Sequence, residues 1–159
     1  MNEMINEQIM LNKTRLLITN DCKNNCILRS GDMKKIIVAD AAPDAIGPYS
    51  HGTAYGDLIF TSGQLPVCKQ QGGVVEGGIE AQSRQALENL KHVLEAAGGN
   101  LDTVLKTTCY LAEISDFAAF NEVYKRYFLK DCPARSCFAV KDLPMGVRVE
   151  VEAIAHIAG

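Results

Sequence analysis

No run in this sequence approaches the roughly 18 consecutive apolar residues that a membrane-spanning helix needs, although 47% of its 159 residues are hydrophobic. Positive charge is not concentrated either. The 16 basic residues are scattered, no basic run exceeds two residues, as at Lys34-Lys35, and the formal net charge is −3. Stable binding to nucleic acid, which draws on clustered Lys and Arg, is therefore not expected. Metal ligands are sparse as well. His51, His92 and His156 lie far apart, and neither Cys22/Cys26 nor Cys132/Cys137 has a second Cys or His pair at zinc spacing. A secretory signal would need a continuous apolar stretch, but Ile9-Met10-Leu11 is broken at once by Asn12 and Lys13. The six cysteines are thus read as free thiols in a reducing cytoplasm. The pairs Gly72-Gly73 and Gly77-Gly78 lack the strand, helix and Lys-Ser/Thr context of a phosphate loop. No internal repeat or low-complexity segment stands out in the domain.

What remains is the composition of one globular domain preceded by a polar leader. Residues 1–32 are rich in Asn, show no clear period, and balance four acidic against four basic residues. They are expected to be a disordered or non-native leader, with Met33 as the physiological start of a domain spanning 33–159. Residues 35–39 form a β-branched run and predict a strand. Residues 51–55 and 58–65 read as two strands turning at Gly56-Asp57, where a glycine is available for positive φ. Residues 66–78, with four glycines, are expected to be a flexible connection. Ile79, Ala86, Leu87, Leu90, Val93, Leu94 and Ala97 recur at helical spacing, and Gly98-Gly99 should end that helix. A strand over 104–111, a helix over 116–128 capped by Ser115 or Asp116, and strands over 135–140 and 147–157 complete the order β-β-β-α-β-α-β-β. That order predicts an α+β fold: a sheet of about six strands with both helices on one face.

The last two strands raise the question of a site. Read as a hairpin with Val140 opposite Val147, they place Phe138 against Val149, Cys137 against Glu150 and Arg135 against Glu152. One face then carries the valines and packs on the helices. The other carries Arg135, Cys137, Glu150 and Glu152 together with Ala139 and Ile154. Two readings of that face stand. It is either a solvated face with weak surface ion pairs, or a subunit interface or ligand cleft, where a half-apolar surface with embedded charge has a use. Arg suits the second, since its guanidinium grips a carboxylate through two parallel hydrogen bonds. Tyr49 alone reads as a core tyrosine and Asn121 as a surface amide. Ser62-Gly63 inside a strand marks a bulge or a close approach of a ligand to the backbone. Cys137 has no histidine near it in sequence, so a Cys–His nucleophile pair is not indicated.

Six segments, in order, resemble the RidA/YjgF family: Ala45-Ile46-Gly47-Pro48-Tyr49-Ser50, Thr61-Ser62-Gly63-Gln64-Leu65-Pro66, Lys106-Thr107-Thr108 with Tyr110-Leu111, Asn121-x-x-Tyr124, Pro133-Ala134-Arg135-Ser136-Cys137, and the tail Val149 to Ala155. The resemblance runs from Lys34 to Ile157. It implies a chorismate-mutase-like fold assembled as a homotrimer, with each active site between neighbouring subunits. It implies hydrolysis of 2-imino acids, the imine forms of 2-aminoacrylate and 2-aminocrotonate released by pyridoxal-phosphate-dependent serine and threonine dehydratases, to 2-keto acids and ammonia. No cofactor is expected. The position of Arg135 is implied to hold the substrate carboxylate, and those of Tyr49, Ser62, Gly63, Asn121, Cys137 and Glu150 to line the pocket. Glu150 is the candidate for positioning or deprotonating the attacking water. Two other readings are carried: an endoribonuclease or translation inhibitor, and a module that binds small carboxylates or shields unfolded proteins.

Overall fold

The structure, a computed structural model, describes residues 33–159. The expectation for residues 1–32 falls outside the described residues.

Strands β1 (Lys35–Ile37), β2 (Gly52–Tyr55) and β3 (Leu58–Thr61) form an antiparallel meander. The turn between β2 and β3 uses Gly56 at φ +57°, as the glycine in the sequence foretold. The connection that follows is more ordered than its four glycines suggested. Val67–Cys68 (β4) pairs with Gly73–Val74 (β5), and Gly72 turns the chain at φ +69°.

Helix α1 (Ile79–Ala96) buries Ala86, Leu87, Leu90, Val93 and Leu94, the stripe read from the sequence. Its end is a Schellman motif. Gly98 adopts φ +83°, its N–H donates to the Glu95 carbonyl, and the Gly99 N–H donates to the Leu94 carbonyl. Strand β6 (Val104–Leu111) leads to the short helix α2 (Phe117–Tyr124), then to β7 (Ala134–Ala139) and β8 (Val149–His156). Asp116 does not cap α2. Its carboxylate is taken by Arg148, whose Nε and Nη2 both donate to it at 2.9 Å.

The six-stranded sheet runs β1-β2-β3-β8-β6-β7. Both helices cover one face, where Ile59, Leu111, Val149 and Val151 meet Leu87, Leu90, Phe120 and Val123. The expected β7–β8 hairpin is not there. β6 lies between them, antiparallel to β8 and parallel to β7. The reason is the connection. Residues 140–148 carry a 3-10 turn in which Met145 and Gly146 have φ +59° and +65°, and they take the chain over the end of β6 rather than straight back. Proximity in sequence was a poor guide to pairing, because α2 returns the chain for a parallel crossover.

The change of neighbour changes the faces. Arg135 stands beside Thr107, Cys137 beside Cys109, and Ala139 beside Leu111, all on the helix side. Phe138 aligns with Tyr110, which aligns with Glu150, on the other side. Arg135 and Cys137 therefore do not share a face with Glu150 and Glu152, as the hairpin register required. The inward set of β8 (Val149, Val151) is as read, but the phase of β7 is reversed. The uncovered face exposes Ile36, Tyr55, Leu58, Phe60 and Phe138. No helix among the described residues is long and apolar enough to cross a membrane.

Candidate active site

The site residues form two groups. The first is built around a bulge. Phe60 pairs with Ile154, and the next bridge is Gln64 with Val151, so four steps on one strand match three on the other. The one extra residue falls at Ser62-Gly63. The bulge is tied down on every side. The Ser62 N–H donates to the His51 carbonyl at 2.9 Å and its hydroxyl to the Ser50 carbonyl at 2.6 Å. The Gln64 side-chain amide donates to the Ser62 carbonyl at 2.9 Å, and the Ala153 N–H donates to the Thr61 hydroxyl at 2.9 Å.

The Glu150 side chain lies directly over Gly63. A Cβ on Gly63 would stand 2.6 Å from the Glu150 carboxyl carbon and 2.9 Å from its Cγ. Glycine is needed there because the carboxylate occupies the space a side chain would fill. Around the two is a cleft of about 490 Å³, walled by Ile46, Leu65, Pro144 and Met145, with Tyr49, Ser62, Gly63 and Glu150 as its polar or backbone elements. Burial raises the Glu150 pKa above the ordinary carboxylate value, and the charge of Glu152 raises it further. Tyr110 donates to Glu152 at 3.1 Å, on the same open face.

Tyr49 arrives on a loop fixed by His51. The Ala39 N–H donates to His51 Nδ1 at 2.9 Å, and Nε2–H donates to the Pro43 carbonyl at 2.8 Å. Lys69 fastens the same loop through the Asp40 carbonyl and the Asp44 carboxylate. Tyr49 is half exposed rather than a core tyrosine.

The second group stands on the edge strand β7 and on α2. The Arg135 guanidinium lies 4.5 Å from the Tyr124 ring centroid, with Phe117 at 5.6 Å and Phe120 at 5.9 Å. This platform orients a cation without neutralising it. Among the described residues Arg135 has no ion-pair partner. The Asn121 side-chain oxygen is buried without a hydrogen bond. Cys137 has its thiol pKa lowered to about 7, chiefly by the neighbouring Cys109 thiol, against the opposing effect of burial and with help from the Arg135 charge. Cys109, fully buried, is pushed up by the same contact and by burial.

One chain thus brings together Tyr49, Ser62, Gly63 and Glu150, and separately Arg135, Asn121 and Cys137. It does not bring the two groups onto one face. The sequence reading did not single out the apolar walls Ile46, Leu65 and Met145. It placed a helix over 116–128 but not the use of the aromatic residues Phe117, Phe120 and Tyr124 under Arg135.

Comparison with known proteins shows the family. The family model described as Endoribonuclease L-PSP matches residues 39–157. A mouse 2-iminobutanoate/2-iminopropanoate deaminase is 44% identical over 126 residues, covering 79% of this chain and 93% of the relative. A RutC family protein of Pyrococcus horikoshii is 47% identical over 124 residues, covering 78% and 98%. The crystal structure of Escherichia coli TdcF with bound serine superposes with a TM-score of 0.74 at 43% identity, over 78% of this chain and 99% of that one. Matched along nearly the whole length of these relatives and over the segments that build both groups of residues, the chain belongs to the RidA/YjgF family.

Proposed function

We propose that this protein hydrolyses small 2-imino acids, 2-iminobutanoate and 2-iminopropanoate, to 2-keto acids and ammonia, in sites shared between the subunits of a homotrimer. The observation that carries the reading is the Glu150 carboxylate, laid over the Gly63 backbone in a part-apolar cleft and raised in pKa by burial. Deaminase-named relatives and a related protein holding serine support a small substrate with a carboxylate and a nitrogen on C2.

The separation of the two groups supports a shared site. Glu150 needs a cation for the substrate carboxylate, and Arg135 is uncommitted but on the other side of its own sheet. A neighbouring copy, packed through the apolar open face, supplies the arginine. Arg135, Asn121 and Cys137 of one subunit then close the cleft made by Tyr49, Ser62, Gly63 and Glu150 of the next.

The chemistry needs no cofactor, because the C=N bond is already electrophilic. Arg135 holds the carboxylate and adds positive charge near C2. Glu150 takes a proton from water as the oxygen bonds to C2, the C=N electron pair moves to nitrogen, and Glu150 passes that proton to the nitrogen. The carbinolamine then collapses. Glu150 takes the hydroxyl proton as C=O forms and hands it to the amine nitrogen, and the C–N bond breaks to release ammonia. Ser62, Gly63 and the Cys137 backbone carbonyl position water and amine, and positioning is the main contribution for so labile a substrate.

The test is a coupled assay in which threonine dehydratase generates 2-iminobutanoate and release of 2-oxobutanoate is followed. Glu150→Gln should lower the rate by on the order of 10²–10⁴, the usual worth of a general acid–base group. Arg135→Lys keeps the charge but loses the two-pronged grip and should also be severely impaired. Wild-type rates from folded Glu150→Gln protein would overturn the mechanism. RNA incubated with the same samples tests the endoribonuclease reading attached to the family's name. The net charge of −3 gives that reading no support.

A further inference from the structure

We propose that Cys109 and Cys137 form a dithiol that a hydroperoxide converts into a reversible disulfide, with Cys137 the sulfur first oxidised and Cys109 the thiol that resolves it. The two residues are direct partners across β6 and β7 and point to the same, helix-covered side. Neighbouring strands lie about 4.8 Å apart, inside the Cα separations of about 4.4–6.8 Å at which disulfides form. Paired side chains in a parallel ladder keep nearly that spacing at Cβ, somewhat wider than an unstrained disulfide prefers. The bond is therefore strained and readily reduced, which suits a switch and not a staple. β7 is an edge strand, free on one side to shift toward its neighbour.

The two thiols differ in the way the chemistry requires. Cys137 is partly accessible and held toward its thiolate form, with its pKa lowered to about 7. Cys109 is buried and held protonated. The groups around the pair are the Arg135 guanidinium on β7, the Thr107 hydroxyl on β6 and the Tyr124 hydroxyl on α2, and none is a carboxylate that would oppose the thiolate. The Cys137 thiolate attacks a peroxide oxygen. The S–O bond forms, the O–O bond breaks, and the sulfur gives up two electrons to release an alcohol or water. The Cys109 sulfur then attacks the sulfenic sulfur. S–S forms, S–O breaks, and the departing hydroxide takes the Cys109 proton as water. Two thiols and one hydroperoxide yield one disulfide, one alcohol and one water.

The consequence for activity rests on the proposed deaminase reading. The disulfide drags the strand that carries Arg135, and a displacement of about 1 Å at a binding group costs on the order of 10²-fold.

The experiment uses the full chain, freed of reductant and treated with one equivalent of hydrogen peroxide. After alkylation and proteolysis, the expected product is a Cys109–Cys137 linked peptide that dithiothreitol abolishes, with deamination lost and recovered in parallel. In Cys109→Ala, or Cys109→Val if the smaller side chain unfolds the protein, a second equivalent of peroxide should carry Cys137 from sulfenic to sulfinic acid and the loss should become irreversible. A wild-type protein that accumulates sulfinic Cys137 beside unmodified Cys109, or that links Cys137 to Cys132, overturns the proposal. The peptide map stands apart from the assay, so an untreated protein without deaminase activity overturns the proposed function and not the dithiol.

Discussion

Among the glycines of the described residues, Gly63 leaves the least room for a side chain, because Glu150 fills it. A methyl group at residue 63 must displace the Glu150 carboxyl, the far end of a flexible side chain, so the fold can absorb the change while the site cannot. Gly63→Ala is expected to keep its circular dichroism spectrum and melting behaviour but to lose on the order of 10²-fold in rate, the cost of misplacing a reacting group. Recovery of wild-type kinetics in that variant would mean that the carboxylate position is immaterial. The raised pKa of Glu150 sets a pH dependence. As a base it must be ionised, so activity should fall as pH drops through a value above that of an ordinary carboxylate. Glu152→Gln removes one of the two causes, and the acid limb should move to lower pH while burial keeps it above the ordinary value. Stability runs the other way. The folded state binds this proton more tightly than the unfolded chain, so stability falls as pH rises from the unfolded pKa to the folded one. Glu150→Gln should therefore raise the melting temperature near neutral pH, and the gain should vanish in acid below both values. A variant less stable than wild type at neutral pH would contradict the desolvation of Glu150.

At the scale of elements, α2 supports the site as well as the core. Phe120 is fully buried, packs on Tyr124, and completes the aromatic platform under Arg135. Phe120→Ala should cost about 3–5 kcal/mol by cavity formation, measured by denaturant unfolding. Its substrate affinity should weaken as the guanidinium loses its support, and a stability loss under about 1 kcal/mol would show that the site collapses around the gap. Much of this layer was readable from sequence. The α1 stripe, the Gly98 stop, the Gly56 turn, the alternation of β8 and the Ser62-Gly63 bulge all express local rules. The β7–β8 pairing did not, because period-2 alternation says which residues share a face within a strand and nothing about which strand lies beside it. Arg135, Cys137 and Ala139 could be phased only by their true neighbours on β6, Thr107, Cys109 and Leu111. The same limit hid the cysteine pair, separated by 28 positions in the chain and adjacent in the sheet.

At the scale of the whole molecule, the separation of Arg135 from Glu150 can be tested directly. Light scattering should give about three chains per particle. Arg135→Ala and Glu150→Gln proteins, each inactive alone, should regain activity when unfolded together and refolded as mixed rings. A site is intact when its arginine and its glutamate both come from chains that kept them, so equal mixing should restore about a quarter of the wild-type rate. No recovery, with mixed rings confirmed by mass, would place both residues of each site in one chain. The opposite-face arrangement also has a genetic reading. In the proposed shared-site trimer, a chain carrying only Arg135→Ala would spoil the one site to which it lends its arginine, so with half the chains altered about half the sites would survive. A chain carrying both changes spoils a site on each of its sides, and at the same dose only about a quarter survive. A doubly altered allele should thus be more dominant than either single one.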